Sequence, residues 1–180
     1  MSKIVFTTDK YIVKTFSMDN FDDFVKINQD SSVSRYVNHN PNEAPKTFRE
    51  CLETFSNILA TQEKLGYAYW AIYDRQNIFI GQCGVSQNYD KSLNFCYVIH
   101  KKYWGRGIGT EIAGMTLKYL FDNFKNIWEI KAMCFAKNKA SMRVLEKLGF
   151  VVVGETEEFN KILYFLRITR EMYEQKEKIS

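Results

Sequence analysis

Three glycines at alternate positions, Gly105, Gly107 and Gly109, stand in the stretch KYWGRGIGTEI, after an apolar run and before a helical pattern. The first N–H groups of a helix lack partners within it and sit at the positive end of its dipole. A loop without side chains there admits an anion, phosphate above all, against backbone donors. Glycine is equally what a tight strand-to-helix turn needs for positive φ, and the spacing fits both uses. The two histidines, His39 and His100, are the side chains suited to accept a proton near neutral pH. His39 lies in VNHNPNEAP, a loop holding both prolines, and His100 ends the apolar run just before the glycines, where a surface position is expected. The four cysteines, Cys51, Cys83, Cys96 and Cys134, lie far apart, with no CxxC pair and no histidine at ligand spacing. This predicts neither a metal site nor a disulfide framework, and reads each thiol as a small buried apolar residue.

These residues need elements to hold them. A chain of 180 residues, 46% hydrophobic and 16% aromatic, is expected to be one domain over residues 1–180 with a sizeable core. KIVFTT and YIVKTF, separated by Asp9 and Lys10, read as a hairpin, and MDNFDDFVKIN as an amphipathic helix behind the N-cap Ser17. Phe48, Cys51, Leu52, Phe55, Ile58 and Leu59 fall on one face of a further helix. YAYWAIY, IFIGQCGVS and LNFCYVI, with DRQN and NYDKS between them, are spaced as an antiparallel meander. After the glycines, Ile108, Ile112, Met115, Tyr119, Leu120 and Phe124 make a helical stripe ending near Asn126. WEIKAMCF alternates as a strand, Asn138 opens a short helix closed by Gly149, and VVVGET and ILYFLRI read as a closing pair of strands.

The net charge of +4 is uneven, since the first 60 residues are near balance and the basic excess shares the rest of the chain with the glycine loop. Such a bias suits a polyphosphate ligand. Nucleic acid is not expected, because the cations are interleaved with Asp and Glu. No run approaches the roughly 18 to 20 apolar residues of a membrane span, and MSKIVFTTDK has no signal-peptide pattern, so a cytoplasmic protein without a membrane partner is expected.

The order strand, glycine loop, helix, strand, Asn-capped helix, strand resembles the GNAT superfamily of acyl-CoA-dependent N-acyltransferases. The resemblance is closest to the branch holding ribosomal-protein N-terminal and polyamine acetyltransferases. YWGRGIGTE matches the family's aromatic, Gly, basic, Gly, any residue, Gly or Ala pattern, and NKASMRVLEKLGF its Asn, two residues, Ser, then Glu-Lys-Leu-Gly-Phe. The match is good from about Tyr67 to Tyr164, while earlier residues match mainly in the order of elements. A dinucleotide G-x-G-x-x-G reading of the loop fails at its third position, which is Ile112.

The resemblance implies an α/β (α+β) GNAT fold, a mixed and mostly antiparallel sheet flanked by helices, and acetyl transfer from acetyl-CoA, as co-substrate, to an amine acceptor by a monomer or homodimer. It places the pyrophosphate on the N–H groups from Arg106 through Gly107, Ile108 and Gly109 to Thr110, with Arg106 as an added charge or merely solvent-facing. It lays the pantetheine arm along the edge of Tyr97, Val98 and Ile99, with an oxyanion held by a backbone N–H near Val98. Asn138 is carried over as a pantetheine contact and Ser141 as the acid that protonates the departing thiolate, although both also suit a plain helix N-terminus. Glu111 and Glu146 are read as surface or structural charges.

The chain departs from the pattern at Asn94, where many relatives carry a glutamate that accepts the amine's proton, and Asn cannot be a base. Glu155, Glu158, His39, His100 or water are the remaining routes for that proton. A site without a strong base favours an N-terminal α-amine, or another amine of low pKa, over a polyamine. The alternatives are a polyamine or other small-molecule amine acetyltransferase, and a CoA-binding module without catalysis.

Overall fold

The computed structural model describes residues 1–37 and 44–179, and His39 falls outside the described residues. The N-terminal hairpin forms as expected from β1 (Ile4–Thr7) and β2 (Tyr11–Thr15), and the Thr8 hydroxyl accepts the Lys10 and Tyr11 amides at its turn. The expected helix from Met18 opens as a 3-10 turn, Met18–Asn20, whose Asn20 carboxamide accepts the Ser17 N–H at 2.7 Å. Only from Phe21 does α1 (Phe21–Gln29) begin, with Phe21, Phe24 and Ile27 inward. A short helix follows, α2 (Ser31–Val37), with Val33 buried, started by the Asp30 carboxylate accepting the Ser32 N–H at 2.8 Å. α3 (Phe48–Leu65) is bounded by a Thr47/Glu50 capping box and by Gly66 at φ +78.

The meander is β3 (Tyr69–Asp74), β4 (Phe79–Gln87) and β5 (Leu93–Ile99), followed by α4 (Ile108–Asn123), β6 (Glu129–Phe135) and α5 (Lys139–Leu148). The chain closes with β7 (Val151–Glu158), β8 (Lys161–Thr169) and a helix the sequence pattern did not announce, α6 (Arg170–Ile179). α4 stops short of Asn126 because the Arg170 guanidinium donates to the carbonyls of Phe121, Phe124 and Ile127 at 2.8 to 3.1 Å.

The eight strands form one sheet in the order β1-β2-β3-β4-β5-β6-β8-β7. Every pairing is antiparallel except β5 with β6, and that parallel pairing is registered only at Asn94 opposite Lys131. The α4 and α5 face buries Trp70, Ile112, Leu117 and Leu145, while the α1 and α3 face buries Phe16, Phe24, Phe55 and Tyr73. In that second core Phe55 sits 5.1 to 5.3 Å, centroid to centroid, from Phe16, Phe21 and Phe24. Edge and tilted aromatic pairs of this kind add about 0.5–1.5 kcal/mol each beyond area burial. The two cores clamp β4 and β5 from both sides, so the end of β5 that parts from β6 is held rigidly.

Candidate active site

Beyond Asn94, β5 and β6 diverge, and the gap between them opens into a cavity of ≈ 790 Å³. Its walls are β5, β6, the glycine loop and the first turn of α5. Backbone direction alternates along β5. The His100 N–H bonds the Ile80 carbonyl, so by the period of two the amide of Val98 turns toward Gln82 of β4 while those of Tyr97 and Ile99 face the gap. The Val98 N–H belongs to the β4 ladder, so of the amides near Val98 those of Tyr97 and Ile99 are the ones turned to the gap. The Ile99 carbonyl also faces away from β4 and is taken by the Trp104 indole N–H at 2.7 Å.

Gly107 is the N-cap of α4 with φ +76, and Gly105 has φ +75; a Cβ at either would meet nothing within 4 Å. Both glycines therefore supply left-handed backbone and an open mouth. Below them the N–H groups of Ile108, Gly109 and Thr110 begin the helix, where no preceding turn can accept from them. Gly109 does something different. Its φ is ordinary, and a Cβ there would stand 3.2 Å from Cε2 of the Tyr97 ring. Arg106 is exposed, lies over the Tyr103 ring at 5.7 Å and is not among the residues lining the cavity. The cations lining the cavity are instead Lys137, Lys139, Arg143 and Lys147; the last three lie inside the matched NKASMRVLEKLGF stretch, but none was read there as a ligand contact. Their common signal was position, at the start and along one side of the helix that follows Asn138.

Asn138 caps α5, its carboxamide oxygen accepting the Ser141 N–H at 3.2 Å. The cap fixes Ser141 in the first turn and aims its side chain into the cavity, where its Oγ lies 3.1 Å from the Tyr97 hydroxyl. The Cys134 thiol lies 3.8 Å from the Asn138 carbonyl, and burial pushes its pKa up while contact with Ser141 opposes that rise. Burial pushes the Tyr97 phenol up to about 12, with the Ser141 contact again working the other way. The sequence pattern had assigned Tyr97 through its backbone, and its side chain was not anticipated.

On the α1 and α3 face of β5 lie Asn94, Cys96 and Val98. Asn94 stands across from Ser86, whose hydroxyl takes a hydrogen bond from the Tyr69 phenol at 3.2 Å. Burial pushes the Cys96 thiol up to about 11, the nearby Lys46 ammonium pulling it down. Lys46 donates to the Thr54 hydroxyl at 2.9 Å, so a cation is anchored on this face. His100 is half-buried, not at the surface. It packs edge-on against Phe79, with its Nδ1 4.0 Å from the Asp30 carboxylate. Burial holds its pKa below the ordinary value, Asp30 countering. Neither His100, Glu155 nor Glu158 lines the cavity, and no Asp, Glu or His is among its described lining residues. No group of three metal-ligating side chains converges among the described residues.

The acetyltransferase (GNAT) domain matches residues 11–151 of the chain. An uncharacterized N-acetyltransferase of Schizosaccharomyces pombe is 30% identical over 163 residues, which span 83% of this chain and 86% of that protein. The fold is shared with a spermidine N-acetyltransferase of Vibrio cholerae solved with CoA and spermine, at TM-score 0.76, 19% identity and coverage of 92% and 99% of the two chains. It is shared also with a ribosomal-protein-S5-alanine acetyltransferase of Vibrio fischeri, at TM-score 0.71, 20% identity and coverage of 95% and 97%. No helix among the described residues is long and apolar enough to cross a membrane. Together the domain match, the sheet that splays after β5 and the glycine-opened helix beside the gap show that this chain belongs to the GNAT family of acetyl-CoA-dependent N-acetyltransferases.

Proposed function

We propose that the enzyme acetylates an N-terminal α-amine of a protein or peptide, or another primary amine of similarly low pKa, with acetyl-CoA as donor. The observation that carries this is the absence of any carboxylate or imidazole among the described residues lining the gap, where Asn94 stands. Presenting a neutral amine at pH 7 costs about 4.6 kcal/mol from the lysine pKa near 10.4, and about 1 kcal/mol from an α-amine near 7.8. Without a group to take up that proton, the second is the accessible substrate. The Lys46 ammonium on the same face adds repulsion against a polycation.

The donor is read into the gap with its phosphates at the α4 N-terminus and the rim cations Lys137, Lys139, Arg143 and Lys147. Its pantetheine arm pairs with the gap-facing backbone of β5 and brings the thioester to the Ser141 hydroxyl. The neutral amine attacks the thioester carbonyl from the Asn94 and Cys96 side. The tetrahedral oxyanion is held by a gap-facing N–H of Tyr97 or Ile99, and collapse expels the thiolate, which Ser141 protonates. An acceptor screen of N-terminal peptides, lysine side-chain analogues and spermidine at pH 7, followed by thiol release, tests this. Peptides with free α-amines are expected to give the highest kcat/KM, and a faster rate with spermidine or lysine would overturn the reading.

A further inference from the structure

A serine hydroxyl is a poor terminal acid for a thiolate, because an alkyl hydroxyl holds its proton far more tightly than a thiol near 8.5, and each unit of mismatch is a factor of ten against transfer. Ser141 therefore needs its own proton replaced as it gives one up. The Tyr97 phenol stands 3.1 Å from its oxygen. We propose that Tyr97 is a positioning residue for Ser141: its O–H donates to Ser141 Oγ, turns the serine proton toward the donor sulfur, and refills Ser141 as the thiolate leaves. The inference rests on the placement of the donor sulfur at Ser141 proposed above.

Three observations build this relay. The Asn138 cap holds the backbone N–H of Ser141 in the first turn of α5, which fixes its Cα beside the phenol and within hydrogen-bond reach of it. The Tyr97 ring is fixed by Gly109, the position where a side chain would stand 3.2 Å from it, and by Phe95 at 6.2 Å between centroids. The absence of a side chain at the third glycine of the loop thus makes room for Tyr97. The phenol is also the stronger acid of the pair, even with burial pushing it up to about 12, so donation runs from Tyr97 to Ser141. In the step itself the carbon–sulfur bond breaks with its electron pair on sulfur. The Ser141 proton moves to sulfur and the Tyr97 proton moves to Ser141. The proton shed by the newly acylated nitrogen returns to the Tyr97 oxygen through water, so the enzyme ends as it began.

The test is Tyr97→Phe, which keeps the ring against Gly109 and removes only the hydroxyl, alongside Ser141→Ala and the double variant. The relay predicts a fall in kcat of about ten- to a hundredfold for Tyr97→Phe, acetyl-CoA KM within about twofold, and no further loss when both changes are combined. A second readout needs no turnover: titration of the thiol of bound CoA by thiolate absorbance, with the desulfo-CoA complex as the blank. Donation from the hydroxyl pair stabilises the thiolate, so its pKa should rise by about one unit in either single variant and no further in the double. A Tyr97→Phe enzyme that titrates and turns over as the unchanged protein does, while Ser141→Ala shifts both, overturns the relay and leaves Ser141 standing. If neither variant moves either measurement, the placement of the sulfur at Ser141 falls with it.

Discussion

Of the three loop glycines, Gly105 and Gly107 hold left-handed backbone beside open space, and Gly109 makes room for an aromatic ring. Two kinds of loss should follow. Valine at 107 forces a branched residue into a conformation costing about 1–2 kcal/mol and intrudes on the anion cradle. Gly107→Val should therefore weaken acetyl-CoA binding by well over tenfold in calorimetry, with the protein still folded. Gly109→Val instead pushes on Tyr97, so its kcat should fall even at saturating acetyl-CoA. Equal KM and kcat effects in the two variants would contradict this division. The spacing alone allowed both the anion and the turn, because a glycine's reason lies in what a Cβ would meet. The same limit hid the Tyr97 side chain: β5 and α5 are 44 residues apart where the two hydroxyls meet, and nothing local records that contact.

At the scale of elements, what the sequence made legible is what periodicity and caps encode. α3 and α5 stand where their apolar stripes and capping residues place them, and the meander follows its turns. The unannounced helices carry weak patterns of their own. α2 is a short helix with three serines and a buried Val33, and it is started by the Asp30 side chain. α6 is polar apart from Met172, Tyr173 and Ile179, and it gains its place by stacking Tyr173 on Phe121 at 4.9 Å. Arg170, with a side chain only 11% exposed, joins α6 to the end of α4 through three carbonyls. Arg170→Met removes a charged donor from all three, and the loss of stability should be about 2–4 kcal/mol by denaturant unfolding. The acetyl-CoA affinity of the folded fraction should stay within about twofold, because the cap lies at the opposite end of α4 from the glycines. A variant that unfolds at the unchanged midpoint would show that water replaces the guanidinium at no cost.

At the scale of the whole molecule, the parting of β5 from β6 turns one sheet into two sides of a reaction. In the proposed reaction the phosphates and thioester belong to the gap beside α4 and α5, lined by lysines and an arginine, and the acceptor to the face under α1 and α3. The donor half of that reading comes from the resemblance, whose motifs are contiguous in sequence. The acceptor half is assembled from β3, β4, β5 and α3, so Tyr69, Ser86, Asn94 and Lys46 have no joint pattern in the chain. Its charge can nonetheless be tested. With no acidic side chain among the described lining residues, the proposed function has the enzyme take amine already neutral in solution. For each acceptor kcat/KM should therefore rise with pH until the amine's own pKa is reached, near 8 for an α-amine and above 10 for a lysine side chain. Asn94→Glu places a carboxylate opposite Ser86 at the start of the gap and within the field of Lys46, which keeps it ionised. The variant should accept lysine-like amines at pH 7 with at least a tenfold gain, and its profile for them should flatten below pH 9, while α-amine peptides change far less. A profile for the unchanged enzyme that levels off near pH 6 to 7 whatever the amine would mean that a protein group takes the proton, and the preference for low-pKa acceptors would lose its physical basis.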